Sequence, residues 1–251
     1  MGVGDKDADV PHVELEALAL EGYRSRAALD DDALDDLFER VARTTVDHRP
    51  SLRDRLRELR TPVRVALSVL LAVGLAAAVL AVVGIAPSVA QAGAARFAVA
   101  IAMVVGFMAL AVATSLRGVH RRGLSAAAWA LALVTLAAPL ALSVIPGLWG
   151  GRPAPHVPSA TPTFGLYCFR IGIVSAVLVG FVIRLFQRVD RPTSPRLIAL
   201  AAAGGLVAFG SSQLYCPSDD LVHVTIGHGL VGVALAILLL GGAWVARALR
   251  R

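Results

Sequence analysis

The chain has 251 residues, of which 57% are hydrophobic, and it carries a formal net charge of +6. Its hydrophobic residues come in long uninterrupted blocks, which excludes an ordinary soluble domain and predicts a polytopic membrane protein. The charges are separated along the chain, because fifteen of the eighteen acidic residues precede Pro62, so the positive balance does not indicate direct nucleic-acid binding.

Residues 1–60 are predicted to form a cytoplasmic, acidic helical segment. An amphipathic helix is expected from Asp30 to Thr45, since acidic residues crowd its first turns, where the helix dipole favours them. Its apolar stripe and the carboxylates beside that stripe are Leu34, Leu37, Phe38, Val41, Asp35 and Asp36. The segment is either a solvated helical face or a docking helix for a basic partner protein.

Six arginines mark the approach to the first apolar stretch. They are Arg49, Arg53, Arg55, Arg57, Arg60 and Arg64. Anionic lipid at the cytoplasmic leaflet attracts such a cluster. We therefore expect these side chains to anchor the chain to membrane lipid.

Residues 61–251 are predicted to form an all-α domain of six transmembrane helices. Each apolar stretch is near the length that crosses a hydrocarbon core of about 30 Å. The predicted spans are about 62–85, 97–116, 124–145, 166–186, 195–214 and 221–245. The Thr61-Pro62 and Ser194-Pro195 pairs are typical of helix starts, with Thr61 and Ser194 as caps, and Pro139 predicts a kink.

The arginines alternate between the loops that join these spans. Sixteen lie in the segments 49–64, 117–122, 184–196 and 247–251, whereas the other loops and span ends offer only Arg96, Arg152 and Arg170. By the positive-inside rule, this asymmetry predicts a multi-pass membrane protein with both termini in the cytoplasm.

Cys168 and Cys216 are the only two cysteines of the chain. Two spans of about 20 residues separate them, so at about 1.5 Å per residue the chain returns to its starting height and both thiols lie at the outer face. One hypothesis is a disulfide that clamps two spans. The other is a reactive or metal-binding pair, with His223 and Asp219 as further ligands for zinc or a heavier thiophilic ion.

The last predicted span contains His228, which is the main ionisable group within the apolar stretches. A hydrogen bond to a neighbouring helix is its expected role, because such polar contacts are ordinary in membranes. Asp219 and His223 lie four residues apart and share a helical face, which permits a carboxylate–imidazole pair. Ser218, Asp219 and Asp220 are equally typical of a helix N-terminus.

Several short stretches near the C-terminal third carry a family resemblance. They are Cys168-Phe-Arg-Ile-Gly-Ile, Arg191-Pro-Thr-Ser-Pro, Ala203-Gly-Gly and Tyr215-Cys-Pro-Ser-Asp-Asp, the last of them before a glycine-rich span. This pattern resembles the NrsF family of six-span bacterial membrane anti-sigma factors. The resemblance implies that the protein lies in the bacterial inner membrane and that its cytoplasmic segment holds an extracytoplasmic-function sigma factor inactive. It also implies that Cys168 and Cys216 form a periplasmic sensing pair.

The resemblance implies a regulator and not an enzyme, but other classes stay open. A small-molecule or ion transporter is one alternative, although pumps normally need intramembrane charges that the spans mostly lack. A thiol-redox membrane enzyme is another, although relay of electrons to quinone needs two dithiol pairs. A purely structural partner subunit is the third.

Overall fold

The computed structural model describes residues 39, 51–86, 89, 94–117, 125–145, 162–188, 193–216, 218 and 220–249. Residues Leu52–Arg251 form one compact unit. The predicted partner-binding residues Leu34, Asp35, Asp36, Leu37, Phe38 and Val41 lie outside the described residues, as does the predicted metal ligand Asp219. The docking helix therefore stays a prediction.

The predicted fold class is confirmed, because the described residues are helical and contain no strand. The helices are α1 (Leu52–Glu58), α2 (Thr61–Val83), α3 (Ala94–Leu116), α4 (Ser125–Ser143), α5 (Pro162–Phe186), α6 (Ser194–Tyr215), α7 (Leu221–His223) and α8 (Val231–Ala248), with a π-helical turn (Val224–Gly229) between α7 and α8. Six stretches of these helices are long and apolar enough to cross a membrane, and α7, the π-helical turn and α8 together make the sixth. The protein is a multi-pass helical membrane protein.

Helix α6 is the centre of the bundle. In its apolar stretch 94% of the residues are buried, whereas the share is at most 39% in the other five spans. It packs against α3, α4, α5 and α8. Small residues make this possible: a Cβ atom built on Gly205 would lie 2.5 Å from the Cα atom of Gly232 in α8. Close backbone approach through small residues is the usual way in which membrane helices pack.

The two proline-marked helix starts are correct in position but not in their caps. Pro62 and Pro195 occupy the first turns of α2 and α6, as predicted. The N-cap residues are Arg60 and Thr193, however, and neither makes a side-chain capping hydrogen bond. Thr61 is instead the first helical residue, and its hydroxyl accepts a hydrogen bond of 3.0 Å from Arg64.

Arg64 differs from the predicted lipid anchor. Its side chain is 1% exposed, and its Nη1 atom donates a hydrogen bond of 2.9 Å to the carbonyl oxygen of Phe186 at the end of α5. The guanidinium thus satisfies a helix-terminal carbonyl that has no partner within its own helix. From the sequence alone, an arginine in this position is expected to contact lipid. The sequence does not reveal its actual partner, because that carbonyl lies 122 residues further along the chain.

Candidate metal centre

The two cysteines meet two histidines at one end of the bundle, which we call the thiol end. Cys168 lies in the second turn of α5, Cys216 directly follows α6, His223 ends α7, and His228 lies in the π-helical turn. All four side chains are buried, with exposed fractions of 1%, 1%, 6% and 0% in that order. Three separate stretches of the chain thus converge on one enclosed point.

The distances within this cluster are short. The Sγ atom of Cys168 lies 3.7 Å from the Sγ atom of Cys216, which is the proximity that the helical-hairpin count predicts. The Sγ atom of Cys216 lies 3.3 Å from the Nε2 atom of His223. One candidate ligand atom from each of the four residues lies within 4.8 Å of all the others. The two cysteines are thiols and are not joined by a disulfide.

The π-helical turn explains how both histidines reach the cluster. In an α-helix of 3.6 residues per turn, residues five apart point about 140° away from each other. A π-helical turn bonds residue i to residue i+5 and so places such residues one above the other. The backbone N–H of Leu230 indeed donates to the carbonyl oxygen of Thr225 at 3.0 Å. As a result, the rings of His223 and His228 are in edge contact, with centroids 5.2 Å apart.

Asp220 fixes the start of this last span. Its Oδ2 atom accepts a hydrogen bond of 2.8 Å from the backbone N–H of His223, so the capping role considered for it is confirmed. Such a cap contributes about 1 kcal/mol to helix stability. Because the capped N–H belongs to His223 itself, the cap also holds the imidazole in position beside Cys216.

A glycine pair lets the π-helical turn approach α5 closely. A Cβ atom built on Gly227 would lie 3.2 Å from the carbonyl oxygen of Gly165 and 3.7 Å from the Cβ atom of Cys168. A Cβ atom built on Gly165 would lie 3.7 Å from the Nδ1 atom of His223. Because neither glycine has a side chain, there is room for the histidines to pack against the thiols.

His228 also makes the interhelical contact that its place in a span predicts. Its Nδ1 atom lies 3.4 Å from the Nε2 atom of Gln213 in α6, and both side chains are buried. Gln213 therefore orients the imidazole from outside the cluster. Groups in this position commonly fix the tautomer and direction of a metal-ligating histidine.

The surroundings of Cys216 favour a thiolate. Cys168 donates a hydrogen bond to the Sγ atom of Cys216, and this bond lowers the pKa of Cys216. Burial opposes the shift, but hydrogen bonds from His223 and His228 add to it, so the net pKa lies below the usual range. A thiolate is the form of cysteine that binds metal or reacts with electrophiles.

The cluster can hold a metal ion, with Cys168, Cys216, His223 and His228 as ligands. Three of these four residues were predicted from the sequence as metal ligands, namely Cys168, Cys216 and His223. His228 was expected to serve only as a hydrogen-bonding group. The signal that could have identified it is its spacing of five residues from His223, which brings the two rings together only in a π-helical turn.

No family model, curated protein or solved structure matches the chain.

Proposed function

We propose that this protein is a membrane-bound regulator of the anti-sigma type. In this proposal, residues 1–60 hold an extracytoplasmic-function sigma factor inactive, and the thiol–imidazole cluster senses the signal that releases it. The observation that carries the proposal is a single helix, α5, which extends from the cluster to the membrane-proximal end of the N-terminal segment.

Cys168 lies near the beginning of α5, and Phe186 is its last residue. Phe186 lies 18 positions after Cys168, which corresponds to about 27 Å at about 1.5 Å per residue and so to most of a bilayer core. Directly after α5, Arg188 donates hydrogen bonds to the carbonyl oxygens of Arg57, Glu58 and Leu59, at 2.6, 3.2 and 3.2 Å. Those carbonyls form the C-terminal end of α1.

At this end of the bundle, which we call the arginine end, two arginines join the end of α5 to its neighbours α1 and α2. Arg188 binds the end of α1, while Arg64 of α2 binds the last carbonyl of α5. A shift of α5 along its axis at Cys168 changes both contacts, because a helix transmits axial displacement as a rigid element. Since α1 belongs to the N-terminal segment 1–60, the change acts in this proposal on the segment that is expected to bind the partner.

A transporter is less well supported by the composition of the spans. None of the six spans contains Asp or Glu. Proton and ion pathways usually depend on such intramembrane carboxylates. A thiol-redox enzyme that reduces quinone needs a second dithiol, and the sequence contains two cysteines in total.

The first test is capture of the partner. The full chain with an affinity tag is expressed in its host and solubilised in mild detergent, and the bound proteins are identified by mass spectrometry. We expect a sigma factor, and we expect its recovery to fall when Asp35 and Asp36 are both replaced by lysine, mainly at low salt. The matched control is the same double charge reversal at Asp7 and Asp9. Equal loss in both variants, or absence of any sigma factor, would contradict the proposal.

The second test addresses the role of α5. Arg188→Ala removes the contacts to the end of α1, whereas Arg170→Ala removes an exposed arginine from the opposite end of the same helix. In a strain with a reporter driven by the captured sigma factor, we expect Arg188→Ala to change transcription without any signal. Arg170→Ala should leave transcription at the wild-type level. If the two variants behave alike, α5 is not the transmitting element.

A further inference from the structure

We propose that Cys168, Cys216, His223 and His228 bind one resident divalent ion of the zinc class in tetrahedral coordination. This inference deepens the proposed function, since it names the ligand of the same site. It rests on the geometry and charge of the cluster, so it is tested by metal content and not by transcription.

The spacing of the ligand atoms fits a tetrahedron around zinc. With Zn–S bonds of about 2.3 Å and Zn–N bonds of about 2.0–2.1 Å, tetrahedral angles put two sulfur ligands about 3.8 Å apart and a sulfur and a nitrogen about 3.5 Å apart. The two sulfur atoms of the cluster are 3.7 Å apart, and Cys216 Sγ lies 3.3 Å from His223 Nε2. The four ligand atoms together lie within 4.8 Å of one another. The widest separation exceeds the tetrahedral values by at most about 1–1.5 Å, and side-chain adjustments of that size close the site.

The charge balance fits burial next to hydrocarbon. Two thiolates and two neutral imidazoles carry a charge of −2, which a divalent cation cancels. A net neutral centre avoids the cost of leaving an ion uncompensated in an apolar environment. A monovalent ion, or a carboxylate in place of one imidazole, would leave the buried centre charged.

Ligand type and number favour zinc over the hard cations. Magnesium and calcium prefer oxygen ligands, whereas zinc accepts sulfur and nitrogen in four-coordinate sites. Four protein ligands also complete the coordination shell, which is typical of structural zinc sites, because catalytic sites keep one position for water or substrate. The ion therefore serves to hold α5, the end of α6 and the π-helical turn together.

Contacts from outside the ligand shell hold these ligands in position. Asp220 caps the helix at His223, Gln213 contacts His228, and the Gly165–Gly227 approach brings Cys168 against the π-helical turn. Support of this kind from outside the ligand shell typically changes metal affinity by about 10–100-fold when it is removed. Each of the three contacts comes from a different stretch of the chain.

The experiment measures metal in the purified full-length chain. The protein is purified in detergent without chelator, and zinc is quantified per chain by elemental analysis. Apo protein is then titrated with Co²⁺, whose tetrahedral thiolate complex shows a charge-transfer band and intense d–d bands. We expect one zinc per chain, and one Co²⁺ per chain with both sets of bands. Ile226→Val is the control variant, because this exposed side chain belongs to the same π-helical turn and offers no ligand atom.

Two kinds of ligand variant separate binding from folding. Cys216→Ser and His228→Gln should lose the zinc and the cobalt bands, whereas Cys216→His and His223→Cys keep four ligands and should retain cobalt with altered charge-transfer intensity. Retention of zinc by Cys216→Ser, or a wild-type chain that takes up neither ion, would overturn the inference. Recovery of wild-type protein as a Cys168–Cys216 disulfide that excludes metal would overturn it as well. In all these cases the sigma-factor capture is read on separate samples, so failure of one proposal does not imply failure of the other.

Discussion

The closest backbone contact of the bundle yields a quantitative prediction for Gly205→Ala. The built Cβ atom lies 2.5 Å from the Cα atom of Gly232 and 2.8 Å from its nitrogen. Carbon atoms prefer separations of about 3.5–4.0 Å, so α6 and α8 would have to separate by roughly 1 Å. No rotamer change relieves the overlap, because both partners are backbone or Cβ atoms.

Overpacking of this kind costs about 1–3 kcal/mol, and the lack of a flexible neighbour places Gly205→Ala at the upper end. Replacing a helical glycine by alanine in turn gains about 0.5–1 kcal/mol. The expected net loss of stability is therefore about 2 kcal/mol. Gly241→Ala in α8 is the matched control, because a Cβ atom built there meets nothing within 4 Å. This variant should be slightly more stable than the wild type.

The buried thiols provide the assay. Thermal unfolding in detergent is followed with a dye that becomes fluorescent on reaction with thiols, after removal of metal, since the chain's two cysteines are each only 1% exposed before unfolding. Gly205→Ala should expose them at a clearly lower temperature than the wild type, and Gly241→Ala should not. Equal unfolding temperatures for the two variants would refute the packing argument and the central role assigned to α6.

Three further predictions concern the helix cap, the topology and the glycine contact at the site. Asp220→Ala should lower the stability of the protein by about 1 kcal/mol and weaken its zinc affinity, because it removes the helix cap. Asp220→Asn keeps a capping oxygen and should bind zinc about as tightly as the wild type; competition with a chelator measures the affinity of each variant. Alkaline phosphatase fused after Arg251 should be inactive, and an active fusion would overturn the predicted cytoplasmic C-terminus. Gly227→Val should weaken cobalt binding more than Gly165→Ala, because only the first places atoms against a backbone oxygen at 3.2 Å; similar affinities would contradict the close-approach argument.

The six spans could be predicted because hydrocarbon thickness sets both their length and their composition. The helix ends differ from the predicted bounds by up to four residues, as at Pro162, where α5 begins although its span was predicted from residue 166. The first span was expected to reach residue 85, but α2 ends at Val83, and Gly84 has a φ of +90° that is outside the helical region. Glycine is the residue that takes this conformation without strain, and a hydropathy pattern does not register it.

The site was predictable in part, for a reason that lies in the spacing of its residues. Counting residues along two antiparallel spans suffices to bring Cys168 and Cys216 to the same height. It does not reveal His228, because α-helical periodicity places that residue about 140° from His223. The same periodicity favoured Asp219, which is four residues before His223, as a ligand. Arg64 shows a comparable limit, since its carbonyl partner Phe186 lies far along the chain.

The π-helical turn leads to a final prediction, which concerns a deletion. A π-helical turn is equivalent to an α-helix with one inserted residue. Deleting Ile226, whose side chain is 54% exposed, should therefore convert the turn to α-helix and leave His223 and the shifted His228 four residues apart, still on one face. Because the deletion removes only the inserted residue, α8 keeps its orientation against α6.

We therefore expect the Ile226 deletion to insert normally and to retain one Co²⁺ per chain. The matched control is deletion of Val177, an exposed residue in the middle of α5, where the helix is α-helical throughout. That deletion rotates Cys168 by about 100° relative to the C-terminal half of α5, so it should abolish cobalt binding. If the Ile226 deletion also loses cobalt, the π-helical turn does more than bring the two imidazoles to one face, and the explanation for the five-residue spacing fails. If both deletions retain cobalt, Cys168 is not a ligand of the ion.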